Sequence, residues 1–274
     1  YLLYQGQITV GTASAALGYV QSFCYPVSYI LKDINTVNAS RAGKDKILKI
    51  LSDTEREPTA PRIEQFHDAI QFQDVSVQLG DFCLSNFNCT FQKWNKYAIV
   101  GPTGTGKSTI LKLLMQYVLP DQGRICVDGV PIEGKDLSGI ITCVNQFEHI
   151  FHASFEENAT LFNSYPLSRM HSALRYLDNA KLNSLLQKEN AQELSGGEGQ
   201  MMELVRAITA DKPVVLMDES FSAVDEKNAQ QLQKKLLALD KTILCVTHDT
   251  SPEHLSLFDK VIQLERKENI SYLL

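Results

Sequence analysis

The sequence predicts an α/β fold: a mostly parallel sheet covered by helices, joined to a small antiparallel β-region and a helical subdomain, and preceded by one long helix. Three observations predict it. From residue 97 onward, apolar strand-like runs alternate with segments of helical periodicity, the pattern of strand–helix–strand units with parallel strands. Three strand-like runs cluster before residue 92 with no helix between them, as in an antiparallel region. Residues 1–31 contain no Asp, Glu, Lys or Arg, which suits a single long apolar helix.

Composition narrows the class. The 274 residues are 44% hydrophobic and 21% charged, an ordinary globular balance with ample material for a core. A formal charge of −6 argues against a general nucleic-acid binder. Cys24, Cys83, Cys89, Cys126, Cys143 and Cys245 include no C-x-x-C pair, so neither a zinc site nor a disulfide framework is indicated and a reducing cytosol fits. The chain opens on Tyr1, with no visible signal peptide, and reads as part of a longer polypeptide.

The window from Ile8 to Leu31 supplies the about 20 mainly apolar residues that a membrane-spanning helix needs. Its small residues, among them Gly11, Ser14, Ala15 and Gly18, suit close helix–helix packing, and Tyr19, Tyr25 and Tyr29 suit membrane interfaces. A buried helix of a soluble protein is the other reading. Lys32, Arg41, Lys44, Lys46 and Lys49, against Asp33 and Asp45, favour the span and place its C-terminal end in the cytoplasm. Ile34, Val37, Ile47, Leu48 and Leu51 prolong an amphipathic helix. The expected organisation is therefore a transmembrane helix with a cytoplasmic extension over 1–52, a linker over 53–67 marked by Pro58 and Pro61, and a globular domain over 68–274. The chain would be an integral membrane protein, with lipid around its N-terminal helix and its globular domain in the cytoplasm.

Within the globular part, Ile70 to Val77, Phe82 to Leu84 and Phe87 to Phe91 read as strands. The buried strand Tyr97-Ala98-Ile99-Val100 leads into Gly101-Pro102-Thr103-Gly104-Thr105-Gly106-Lys107-Ser108-Thr109, which fits G-x-x-x-x-G-K-[ST]. Ile110, Leu111, Leu113, Leu114 and Val118 then mark a helix. The glycines let successive N–H groups wrap an anion, and the helix N-terminus adds its positive end. Lys107 can reach the β- and γ-phosphates and Ser108 can hold Mg²⁺. A glycine-rich turn that binds nothing is the bland alternative; the strand before and the helix after speak for a bound nucleoside triphosphate.

Further on, Arg124 to Val127 and Gly139 to Val144 read as strands, and Ser168 to about Lys188 as helical. Leu194-Ser195-Gly196-Gly197-Glu198 precedes Met201, Met202, Leu204, Val205 and Ile208 at helical spacing. Ser195 is a natural N-cap, and Gly196 and Gly197 expose backbone N–H groups; a second anion site and a plain capped helix fit equally well. The apolar strand Val214 to Met217 ends in Asp218-Glu219. At the C-terminal end of a parallel strand, both carboxylates face the ligand crevice, Asp218 suited to Mg²⁺ and Glu219 to polarising a water. A helix over Ala229 to Leu239 and a strand over Ile243 to Val246 follow, the latter ending at Thr247-His248. His248 could contact a γ-phosphate, and Gln146, after the strand ending in Val144, could offer an oxygen to Mg²⁺. Each signal is weak alone.

Taken in order, Gly101 to Thr109, Gln146, LSGGE at 194–198, Asp218-Glu219, Ser222-Ala223-Val224-Asp225 and His248 resemble the ABC ATPase family, whose signature is LSGG. The N-terminal helix and linker resemble the last transmembrane helix of an ABC exporter half-transporter. The resemblance implies ATP and Mg²⁺ as ligands, with Lys107 and the loop amides on phosphates, Ser108, Gln146 and Asp218 at Mg²⁺, and Glu219 as catalytic base. It implies His248 on the γ-phosphate and Ser195 and Gly197 toward the nucleotide of an opposing subunit, with Gly196 and Asp225 also among the nucleotide-binding residues. The partner it implies is a second half-transporter, identical or not, and the activity is ATP hydrolysis driving export of a substrate that the sequence does not name.

The chain departs from the family at several points. Leu79 stands where an aromatic usually stacks on adenine, with Phe82 nearby as a substitute. Gln187 to Glu193 lacks the acidic, glycine-containing pattern, and Met201 replaces a preferred Arg. Two other functions stay open: a soluble ABC ATPase that moves no substrate, and an ATP-sensing module of low turnover.

Overall fold

The computed structural model describes residues 4–6, 9–54, 60–80, 82–145, 150–178, 184–186, 191, 194–221, 224–267 and 270–273. The chain divides into two compact units, Tyr1–Thr59 and Ala60–Leu274.

The first unit is built on α1, Val10–Thr54, a helix of 45 residues with Pro26 inside it. Its hydroxyls turn back on the helix: Ser22 Oγ donates to Gly18 O at 2.9 Å, Ser28 to Cys24 O at 3.0 Å and Thr36 to Lys32 O at 3.0 Å. The helix runs through Thr54, past the expected boundary at residue 52, and residues 55–59 lie outside the described residues. Among the described residues, no helix is long and apolar enough to cross a membrane. Length is sufficient in α1, but Thr12, Ser14, Gln21, Ser22 and Ser28, together with its glycines, dilute its apolar character.

In the second unit, β1 (Ala69–Leu79) and β2 (Phe82–Gln92) form the expected antiparallel hairpin. The two runs expected before and after residue 85 are one bulged strand. Asp74 and Asn86 take left-handed φ of 52° and 49°, and the Asn88 side chain bridges the bulge, accepting from Asp74 N–H at 2.9 Å. Strand β3 (Lys96–Val100) leads to α2 (Lys107–Leu114), β4 (Gln122–Val127) returns to pair with β1, and the short β5 (Val130–Pro131) pairs with β4. Then follow β6 (Ile141–Val144), α3 (Phe155–Thr160), α4 (Leu167–Leu177), α5 (Gly196–Ala210), β7 (Val214–Asp218), α6 (Glu226–Leu237), β8 (Thr242–Val246), α7 (Pro252–Leu255), β9 (Lys260–Lys267) and β10 (Ile270–Leu273).

Among the described residues the strands make one sheet in the order β5-β4-β1-β2-β10-β9-β3-β8-β7-β6. From β9 to β6 every pairing is parallel. The period of two along a strand divides the core between the two faces of this sheet. Tyr97, Ile99, Val214, Leu216, Leu244 and Val246 join one cluster with Ile110, Leu111, Leu113 and Leu114 of α2. Ala98, Val100, Val215, Met217, Ile243 and Cys245 join the other with Leu204 and Val205 of α5 and Leu232 and Leu236 of α6. Burial on both faces is why these strands read as unbroken apolar runs.

Of the helical middle expected over 168–188, residues 179–183 and 187–188 lie outside the described residues. Helix α4 ends at Leu177, with Asp178 in a left-handed C-cap at φ 42°. Helix α3 was not foreseen, yet Ser154 and Glu157 close a capping box at its start, an S-x-x-E signal that the sequence displays.

Candidate functional site

The parallel strands deliver their C-terminal ends to one edge, where open α/β sheets bind ligands. A cleft of about 310 Å³ opens there, lined by Phe82, Thr103, Gly104, Gly106, Lys107, Ser108, Thr109, Glu219 and His248. Residues expected from β3–α2, β7 and β8 thus meet in one place.

Backbone conformation shapes the loop. Gly106, the N-cap of α2, has φ 85°, and the Phe82 ring packs where its Cβ would lie. Gly101 has φ 152°, and a Cβ there would come within 2.5 Å of Leu264 O. Both positions therefore favour glycine for their positive φ, and Gly101 also for its close approach to the Leu264 backbone. Buried Thr105 ties the loop to itself, its Oγ1 donating to Pro102 O at 2.9 Å. Lys107 is 6% exposed, and its Nζ donates to Gly101 O at 2.9 Å and Pro102 O at 3.1 Å. Burial lowers the Lys107 pKa, against the raising influence of Glu219 and Asp218.

Ser108 Oγ donates to Asp218 Oδ1 at 2.9 Å. Burial raises the Asp218 pKa, opposed by this hydrogen bond and by Lys112 and Lys107. Glu219, the next residue, turns out of the strand through a left-handed φ of 49°, its N–H donating to Val246 O at 3.2 Å. That turn sends its carboxylate to His248, with Nε2 2.6 Å from Oε1.

These donors fit a magnesium–triphosphate. Ser108 and Asp218 are hard oxygen ligands already in contact, and Mg²⁺ takes few protein ligands, completing its shell with phosphate and water oxygens. Among the described residues, the buried Lys107 cation has the neutral carbonyls of Gly101 and Pro102 at hydrogen-bond distance, a charge suited to phosphate oxygens.

Other expected residues lie elsewhere. Ser195 opens α5 as its N-cap, and Glu198 reaches back to accept the Ser195 N–H at 2.8 Å. Ser195, Gly196 and Gly197 do not line the cleft. Asp225 caps α6, accepting from Asn228 N–H at 3.2 Å, and does not line the cleft either. Gln146, Ser222 and Ala223 lie outside the described residues. Of the two adenine candidates, Phe82 lines the cleft; Leu79, its register partner across the hairpin, does not.

A glycine loop opening α2, a carboxylate pair closing β7 and a histidine after β8 define a P-loop nucleotide-binding domain. The sequence model of the family described as ABC transporter matches residues 84–222, just over half of the chain, and this chain belongs to that family. It is 28% identical over 264 residues to the ATP-dependent lipid A-core flippase of Desulfotalea psychrophila, covering 90% of this chain and 46% of that protein. It is 27% identical over 284 residues to the lactococcin transport/processing ATP-binding protein LcnC-like of Lactococcus lactis, covering 97% of this chain and 39% of that one. The chain thus spans less than half the length of these curated relatives. A structure of a bacterial Atm1-family ABC exporter with ATP bound shares the fold, with a TM-score of 0.68 at 22% identity over 84% of this chain and 43% of the other.

Proposed function

We propose that this chain is the ATP-hydrolysing part of an exporter half-transporter, working as a dimer with a second half. The reading rests on the cleft, which brings together the phosphate loop, Ser108 with its hydrogen-bond partner Asp218, and the Glu219–His248 pair. Lys107 and the amides of Gly104, Thr105, Gly106 and Ser108 bind phosphates. Ser108, Asp218 and Gln146 serve Mg²⁺, which when bound neutralises charge on the β- and γ-phosphates. Glu219 accepts the proton of the attacking water, and His248 orients that carboxylate and contacts the γ-phosphate. Ser195, Gly196, Gly197 and Asp225, outside the cleft of their own chain, serve the nucleotide of the opposing subunit.

Export is supported by the relatives, which include a lipid A-core flippase, a lactococcin transporter and a β-(1→2)glucan exporter. In this reading α1 lies in the membrane beside other helices, which offset its polar content through packing and hydrogen bonds, and the second unit lies in the cytoplasm. The transported substrate is a separate molecule that these residues do not select, and nucleic acid is not a partner. The test is Mg²⁺-dependent phosphate release from ATP by the intact protein, combined with membrane fractionation. Absence of release with the fold intact defeats the hydrolytic reading, and recovery in the soluble fraction defeats the exporter reading.

A further inference from the structure

A circuit of polar contacts closes the turn on which His248 stands. Residues 247–251 join β8 to α7 without regular structure, and the His248 side chain is 48% exposed. Thr247 is tied to β3, its N–H donating to Ile99 O at 3.2 Å. Its Oγ1 accepts the Asp249 N–H at 3.1 Å, and Asp249 Oδ1 accepts the Ser251 N–H at 2.8 Å. Ser251 Oγ, at the N-cap of α7, accepts the His254 N–H at 3.4 Å. The His254 ring completes the circuit, with Nε2 3.3 Å from Thr247 Oγ1 and Nδ1 3.5 Å from Asp249 Oδ2.

With the ring neutral, these contacts have one consistent assignment. A hydroxyl has one proton and two acceptor sites. Thr247 Oγ1 uses an acceptor site for the Asp249 N–H and gives its proton to Nε2, which leaves the ring proton on Nδ1, facing the Asp249 carboxylate. The His254 side chain is 12% exposed and packs on the buried Phe258, with 5.5 Å between ring centres. Its place is therefore set by the core.

The connection to the cleft is direct. One ring touches the residues immediately before and after His248, and His248 lines the cleft with Glu219. The same pair lines a second cavity, of about 480 Å³, together with Thr247, Asp249 and His254. The 2.6 Å contact between His248 Nε2 and Glu219 Oε1 needs the 247–249 backbone in one place, whereas loops are the more mobile parts of a fold. A misplacement of about 1 Å at a reacting group can cost about 10²-fold in rate. The phosphate loop is set by its own contacts at Gly101, Pro102 and Thr105, so experiment can separate the two.

We propose that His254 is a positioning residue for the Glu219–His248 pair: by bridging Thr247 and Asp249 it fixes the backbone on both sides of His248, and through that ring the place of the Glu219 carboxylate against the attacking water. The inference rests on the hydrolytic reading above.

The experiment measures phosphate release by the intact protein against ATP concentration, with amide hydrogen exchange of the nucleotide-free protein beside it. His254→Phe keeps a ring on Phe258 but carries no nitrogen. It should lower kcat by about tenfold, a fraction of the roughly 10²–10⁴-fold worth of a general base, with KM within about twofold. The Asp249 and Ser251 amides should exchange faster. His254→Gln offers an amide to Thr247 and should recover most of the loss. In a His248→Ala background, His254→Phe should lower kcat by less than about twofold further, because residues that act through one another do not add. If His254→Phe does not melt cooperatively, Thr247→Val removes the contact from its other end and should give the same fall in kcat at unchanged KM. Unchanged kcat or unchanged exchange in folded His254→Phe overturns the proposal. So does a KM that rises as far as kcat falls, the full loss repeated in the His248→Ala background, or His254→Gln no better than His254→Phe. A wild-type protein that releases no phosphate from ATP with Mg²⁺ overturns the hydrolytic reading itself and the inference with it.

Discussion

Nε2 of His248 lies 2.6 Å from Oε1 of Glu219, so the acid that follows β7 and the ring that follows β8 form one hydrogen-bonded unit. Adjacent parallel strands create it: Asp218 pairs in register with Val246, and the left-handed turn at Glu219 does the rest. Glu219→Gln keeps the shape and a hydrogen-bond acceptor but cannot take up a proton. Steady-state phosphate release should fall about 10²–10⁴-fold, the usual worth of a general base, with ATP binding preserved. Near-normal turnover in the variant would falsify the assignment.

Lys107→Ala should act on binding itself. The side chain offers a buried ammonium to the phosphates, and hydrogen bonds to charged groups contribute roughly 1.5–3 kcal/mol. Titration calorimetry should show ATP affinity lower by about ten- to a hundredfold. Folding should persist, since burial already disfavours this cation. Unchanged affinity means that the loop does not hold the triphosphate.

Asp218 gives a pH signature. Burial raises its pKa in the folded chain above the ordinary value of 3.8. Between that value and the folded one, the folded state binds more protons than the unfolded state, so the group's contribution to stability falls as pH rises through the window. At neutral pH the ionised carboxylate is a net cost. In chelator, Asp218→Asn should therefore melt at or above the wild-type temperature at pH 7, an advantage that shrinks as the pH drops through the window. With Mg²⁺ and ATP added the order should reverse, because the Asn amide is a far weaker partner for the metal than the Asp218 carboxylate. A variant that melts well below wild type in chelator contradicts the burial argument.

The aromatic in the cleft is Phe82, whose ring packs on Gly106, while Leu79 across the hairpin is 40% exposed and stands outside the lining. Base–aromatic stacking contributes about 1–3 kcal/mol in nucleic-acid recognition. Phe82→Ala should weaken ATP binding by at least several-fold, and Leu79→Tyr should change it little. The reverse pattern, measured by the same titration, returns the adenine to the Leu79 side.

Which parts of this could be read from residues alone follows from the physics of each part. Tyr97–Val100, Val214–Met217 and Ile243–Val246 are legible because burial on both faces leaves no polar residue to interrupt them. The phosphate loop is legible because its glycines answer local demands, as Gly101 and Gly106 show. Strands β9 and β10 escape notice: Lys260, Glu265, Arg266 and Lys267 break the apolar pattern, and the strands are fixed by pairing with β3 and β2 far back in the chain. The choice between Leu79 and Phe82 is also tertiary, since it depends on which side of a hairpin faces α2. Capping of α6 by Asp225 is a local signal, D-x-x-N, that a search for ligand residues passes over. In the part of α1 before Lys32 the absence of charge is legible, but absence of charge is not hydrophobicity, and the hydroxyl and small residues there fall short of an apolar span among the described residues.

The placement of Ser195 outside its own chain's cleft sets the last prediction. Two helix starts with exposed glycine amides, at Gly106 and at Gly196, sit in one chain, and only the first lines the cleft. If each site joins the phosphate loop of one subunit to the Ser195–Gly197 turn of the other, lesions in the two places should complement. Lys107→Ala alone damages both sites of a homodimer, and Ser195→Arg alone does the same by placing a bulky side chain at the α5 N-cap. In the mixed dimer both lesions fall in one site, and the other joins an intact Lys107 to an intact Ser195. Co-assembly of the two variants, with subunit exchange confirmed by differential tags and single-site turnover established separately, should restore part of the phosphate release that neither shows alone. Sites complete within one chain would give no rescue at any mixing ratio, because every copy would carry its own damaged site into every dimer.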